Sequence, residues 1–203
     1  MPFSAAAALI AARTLLTGLA LAAASGPMLA LAPEPDPVPR RWQLEVEVGP
    51  LRMATVNVKD AGLRTFLYLS YHVVNNSGQD VLFAPMWEFS NGGGKIVRSG
   101  REVPQAVTTE LLASLQNSLV QDQIEVIGEL LQGEENSKDG IVVWPLADSH
   151  PERVTVYAAG FSGETRNVVA PDGKQQFVLR KSLMVDYDTP GNLLGQGGQP
   201  IPV

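Results

Sequence analysis

Apolar and polar residues alternate most clearly between Leu63 and Arg98, and the chain is read outward from there. Leu67, Leu69, Tyr71 and Val73 share one face of an extended chain, while Phe66, Tyr68, Ser70, His72 and Val74 share the other. Both faces carry aromatic or branched side chains, which predicts a central strand covered at least partly on both sides. Asn75-Asn76-Ser77-Gly78 supplies turn chemistry. Val81–Phe83 and Trp87–Phe89 then read as a return strand. Asn91 to Gly94 forms a second turn and Lys95 to Arg98 a third strand, so the whole stretch predicts an antiparallel meander.

Upstream, Trp42, Leu44, Val46 and Val48 alternate with Gln43, Glu45 and Glu47, the pattern of a half-exposed strand. Gly49-Pro50 interrupts it. The apolar phase slips in residues 51–58, which predicts a bulge or a strand that changes sheets. The period changes at Val103: Val103, Val107, Leu111, Leu112 and Leu115 recur at three and four, one face of an amphipathic helix over 103–119. Pro104 suits the first helical position. In a sandwich, such an inserted helix is expected to cover an open end or edge. Residues 121–127 fit a short helix or a strand equally. Residues 130–131 and 141–144 are two apolar runs around a polar loop. Residues 153–158 form another strand. Residues 166–169 and 174 onward form a hairpin about Pro171-Asp172-Gly173. Phe177, Leu179, Leu183, Val185 and Tyr187 predict one apolar face on a long closing strand, and residues 189–203 a poorly ordered Gly/Pro-rich tail. About eight short strands with regular turns and one helix predict two packed antiparallel sheets in a domain over 42–188.

The first 24 residues carry one charge, Arg13, ahead of a short apolar run ending in small residues. This is the pattern of a secretory signal peptide, with cleavage after Ala24 or as late as Ala32. Thr14 to Ala24 is too short to span a bilayer as an uncleaved anchor, the competing interpretation. Residues 25–41, with prolines at 33, 35, 37 and 39, read as an extended spacer. The expected location is extracytoplasmic, periplasmic or secreted. A net charge of -6 over 203 residues argues against nucleic acid and against an anionic membrane face. The absence of cysteine excludes disulfides, thiolate metal sites and a cysteine nucleophile.

Two segments, Tyr71 to Phe83 (YHVVNNSGQDVLF) and Gly128 to Pro145 (GELLQGEENSKDGIVVWP), are similar to a family of exported bacterial immunoglobulin-like β-sandwich proteins. The first resembles that family's aromatic-x-Val-x-Asn pattern. The second resembles its Leu-x-x-Gly-Glu…Gly-x-Val-x-aromatic segment. The resemblance spans roughly 44–187 and implies an immunoglobulin-like antiparallel β-sandwich, here with one helical insertion, and an exported location. It implies no activity, because the family has none to carry over.

Candidate chemistry is sparse. His72 and His150 are too few for a zinc site without several carboxylates, and His72 reads as a cross-strand packing residue. Asp148-Ser149-His150 holds the residue types of a hydrolase triad, but consecutive side chains diverge. Gly160-Phe161-Ser162-Gly163-Glu164 misses the nucleophile-elbow spacing and reads as a loop. Glu134 to Gly140 is acidic but lacks calcium-loop spacing, and reads as a solvated hairpin loop. Asn75-Asn76-Ser77 reads as a turn rather than a glycosylation site. No catalytic, cofactor-binding or metal residue is assigned, and no cofactor is expected. The expectation is an exported non-catalytic binding or structural module of the cell envelope, monomeric or weakly associating. Its partner would be another envelope protein or a glycan, with no nucleic acid and no membrane beyond an uncleaved N-terminal segment. The alternatives are a hydrolase in which carboxylates such as Glu164, Asp186 or Asp188 meet in a cleft, and a carbohydrate-binding module on Trp42, Trp87 or Trp144. Thr109, Gln116, Asn117 and Gln121-Asp122-Gln123 make up a candidate partner surface.

Overall fold

The computed structural model describes residues 41–146, 153–189 and 198–203. The signal-peptide and spacer expectations up to residue 40, and the Asp148-Ser149-His150 turn, lie outside the described residues.

The described residues are mainly β, an antiparallel sandwich with one α-helix. Strand β3 (Gly62–Val74) is the spine of the first sheet. β1 (Glu45–Val48) and β2 (Arg52–Val58) run end to end along one of its edges. Val48 pairs with Tyr71 and Arg52 with Tyr68, so residues 49–51 face only Ser70 and Leu69. The phase slip is therefore a bulge within one sheet. Gly49 N–H donates to the Ser70 carbonyl at 2.8 Å, and a Cβ at Gly49 would stand 2.8 Å from that oxygen, which leaves no room for a side chain. β9 (Lys138–Pro145) takes the other edge of β3, and β7 (Val120–Gln121) adds parallel to β9.

The second sheet has the order β13 (Ser182–Tyr187), β10 (Val154–Ala159), β5 (Met86–Ser90), β6 (Ile96–Arg98). β4 (Val81–Phe83) pairs with β8 (Gly128–Leu130), and β11 (Thr165–Val169) with β12 (Gln176–Arg180), each as a separate two-stranded sheet. The expected meander is thus overturned after β3. Both edges of β3 are already taken, so the chain crosses to the other sheet instead of folding back. Only the β5–β6 hairpin around Asn91–Gly94 pairs as expected.

The core lies between the two sheets. Leu67, Leu69, Tyr71 and Val73 of β3, with Val142 and Trp144 of β9, meet Trp87 and Phe89 of β5 and Val154, Val156 and Ala158 of β10. A smaller cluster lies on the outer face of the first sheet. There Val56, Phe66, Ile141 and Val143 receive Val107 and Leu111 of helix α1 (Gln105–Leu115). β3 is therefore covered on both faces, as its double apolar pattern predicts. The helix covers a sheet face rather than an edge. It is also shorter than the periodicity predicts, because Pro104 is still extended (φ -62, ψ 141) and Gln116 turns left-handed (φ 52).

The closing-strand expectation fails. The closing strand is two strands, since the backbone breaks at Lys181, whose N–H donates to the Glu164 carbonyl. Leu183, Val185 and Tyr187 pack on the core, whereas Phe177 and Leu179 on β12 are exposed. Within the described tail, Ile201 is buried against the core, its N–H donates to the Leu51 carbonyl at 2.8 Å, and Asp188 N–H donates to Pro202. Burial of Ile201 acts together with these hydrogen bonds in holding the described tail residues.

Candidate functional site

The short strands β6 and β7 do not run the full length of their neighbours. β7 pairs with β9 only at Asp139 and Gly140, and β6 pairs with β5 only from Glu88 to Ser90. Val142 on one sheet and Met86 and Trp87 on the other lie beyond those strand pairings, and a cleft of about 510 Å³ opens beside them.

The connector after β6 and the turn after β7 wall this cleft. Ser99 N–H donates to the Trp87 carbonyl at 2.9 Å and Gly100 N–H to the Val143 carbonyl at 2.8 Å, so two consecutive residues tie one sheet to the other. Gly100 has φ 72, and the Gln123 amide occupies the place a Cβ would take. The facing turn, residues 122–127, is organised by Asp122. Its Oδ1 accepts the N–H groups of Ile124 (2.7 Å) and Glu125 (2.8 Å), and its Oδ2 accepts Gln105 Nε2 at 3.1 Å. Burial works against ionisation of Asp122, but those donors outweigh it and hold its carboxyl below the usual range. Residues 121–127 are thus a strand end followed by a turn. The turn leaves Ile124 and Ile127 exposed at the cleft mouth.

Tyr71 and Trp87 line the cleft, 3 % and 1 % exposed. Their rings sit 4.8 Å apart. Gly140, opposite Tyr71 in the register, is the glycine this requires, because a Cβ there would collide with the phenol. Tyr71 Oη and Trp87 Nε1 are both buried and neither has a hydrogen-bond partner among the described residues. Burial raises the Tyr71 pKa well above that of a free phenol; the nearby Trp87 indole lowers it slightly, without a hydrogen bond of normal geometry between them. Arg98, Arg101 and Gln123 add polar groups to the wall. Arg101 also borders a neighbouring pocket of about 230 Å³, where Arg64 and Lys95 flank an apolar floor that includes Phe89 and Pro145.

The residues singled out by sequence fall elsewhere. His72 is not a packing residue: its Nδ1 lies 2.7 Å from Asp139 and its Nε2 3.4 Å from Glu134. The Asp139 hydrogen bond raises its pKa above the ordinary value, against the opposing effect of burial. Among the described residues, no group of three or more His, Cys, Asp or Glu could hold a metal ion. The Glu134–Gly140 loop is not a hairpin loop, because it joins β8 of one sheet to β9 of another; Lys138 Nζ ties it down by donating to the Val126 carbonyl at 3.0 Å. Glu164 pairs with Lys181 at 3.2 Å on the surface, and Asp186 accepts the Thr155 hydroxyl on β10. These carboxylates share none of the larger cavities. Trp87 and Trp144 are buried, which removes the stacking platform a glycan would need. Asn75 is fully buried. Its Nδ2 donates to Gln79 and Leu130 carbonyls at 2.8 Å and its Oδ1 accepts from Ser77, so the turn reading holds and a glycan has no access.

Sequence reasoning placed Tyr71 in the core but did not place it at a site, and it passed over Arg98, Arg101, Ile124 and Ile127. A signal was present: three basic residues between Lys95 and Arg101 in an acidic chain, and two exposed isoleucines in a segment with no clear period. No protein-family model, curated protein or solved structure matches this chain.

Proposed function

We propose that this chain is an exported, non-catalytic binding module of the cell envelope, and that this cleft is its small-molecule site. The observation that carries the reading is a cleft of about 510 Å³ whose wall combines apolar side chains with Arg98 and Arg101, neither of which has a side-chain partner among the described residues. The volume lies within the range of small-molecule sites, roughly 300–1,000 Å³, and the mixture of apolar wall and few polar groups is what such sites share. The sandwich is proposed to be immunoglobulin-like. The orders β1/β2-β3-β9-β7 and β13-β10-β5-β6 correspond to the A-B-E-D and G-F-C-C′ arrangement, with the parallel β7 as the departure.

Saturation-transfer NMR on a mixed small-molecule library tests the site. Ligand signals should appear with the native chain and disappear with Ile124→Trp, which fills the cleft mouth. Signals that are unchanged in Ile124→Trp, or absent with both proteins, overturn the assignment.

A further inference from the structure

We propose that the cleft is selective for organic anions: small molecules with an apolar body and a carboxylate, sulfonate or phosphate-ester group. The inference rests on the cleft being a binding site and names the chemistry it takes.

Three observations converge. First, the charged groups on the cleft wall, Arg98 and Arg101, can only donate, while Ser99 and Gln123 both donate and accept, so the wall is weighted towards donors. A ligand that satisfies this set must be rich in acceptors. Second, the charge runs against the rest of the molecule. The chain carries -6 overall, yet Arg98 and Arg101 stand at the cleft and Arg64 and Lys95 at the adjoining pocket. Among the described residues, no hydrogen bond or ion pair engages these four side chains. No Asp or Glu lines the cleft itself: Glu102 borders the adjoining pocket, Glu88 faces Arg98 across the β5–β6 pair, and Asp122 and Glu125 belong to the facing turn. The charge on the cleft wall itself is therefore positive. A cationic strip on an acidic protein attracts small anions locally, while the remaining surface repels large polyanions. Third, the walls are not those of a simple inorganic-ion site. Pro85, Met86, Val142 and the exposed Ile124 and Ile127 offer apolar area that a hydrated phosphate or sulfate would leave unused.

Two naphthalene dyes that differ only in the acid make the test. 8-Anilinonaphthalene-1-sulfonate carries a sulfonate and N-phenyl-1-naphthylamine carries none. Both are titrated against the full-length folded protein, with melting temperature and far-UV dichroism as folding controls. The sulfonate should bind at least about tenfold more tightly, with affinity falling as salt rises. The double variant Arg98→Gln/Arg101→Gln should abolish that preference while the neutral dye still binds. Ile124→Trp should block both dyes. Benzoate should compete, and inorganic phosphate should compete much less. Equal affinity for the two dyes, with both blocked by Ile124→Trp, sinks the anion selectivity while the cleft stands as a binding site. Phosphate competing as well as benzoate overturns the requirement for an organic body. Binding of neither dye, or binding indifferent to Ile124→Trp, removes the site itself together with the proposal.

Discussion

Tyr71 illustrates how one side chain can serve both core and site. Its ring is packed among Trp87 and Phe161, so Tyr71→Ala should cost about 3–5 kcal/mol. Its hydroxyl has no partner, so Tyr71→Phe should leave the stability nearly unchanged or slightly raised. Urea unfolding of the two variants separates the contributions; a large loss in Tyr71→Phe would reveal a hydrogen bond the structure does not contain. The ring's burial was legible from the face it shares with Leu67, Leu69 and Val73. The cleft that the residue borders was not, because that depends on where the neighbouring strands stop. His72 behaves differently. Its side chain is 32 % exposed and its pKa is raised by Asp139, then by Glu134. Folding thus favours the protonated imidazole. The stabilisation is fully present below about pH 6.5 and is lost as pH rises through the raised value. The native chain should lose roughly 0.2–1 kcal/mol over that rise, a loss His72→Gln does not show. Equal pH profiles for the two proteins would mean that the carboxylates do not engage the ring in solution.

Helix α1 has little intrinsic support. It has no acidic residue in its first turn, no basic residue in its last and no side-chain cap. Its stability must come from the sheet face it covers. Leu111→Ala should therefore destabilise by about 2–5 kcal/mol, whereas exposed Gln116→Ala should change stability by less than about 0.5 kcal/mol, both read by thermal unfolding. A silent Leu111→Ala would detach the helix from Phe66 and Ile141. The helix was legible because period three-four is a property of the segment alone. Its docking place was not: the apolar stripe specifies that a partner exists, and both an edge and an outer face satisfy that demand. The β11–β12 hairpin failed for a related reason. Apolar residues recur at period two from Phe177 to Tyr187 except at Lys181, and it is there that the strand changes partners, Glu164 taking both the N–H and the ammonium group of Lys181.

For the whole molecule, export makes the clearest forecast. Mass spectrometry of the native protein should find a mature N-terminus between Ser25 and Pro39, as the apolar run behind Arg13 and the small residues at Ala22 and Ala24 imply. An intact Met1 in the cytosolic fraction would overturn the envelope assignment. The sequence by itself determined the class: strand after strand of period two, turns at Asn75–Gly78, Asn91–Gly94 and Pro171–Gly173, one helix, and the double-sided burial of β3. Each of these is written in side chains, because a buried face must be apolar wherever it lies. Only the tertiary structure decided which strands pair, that β4 and β5 leave β3, that Ile201 returns to the core, and that the ends of β6 and β7 leave a cleft beside Tyr71 and Trp87. Pairing is made by backbone N–H and C=O groups, which nearly every residue carries alike, so the choice of neighbour leaves no mark in the alternation of the chain.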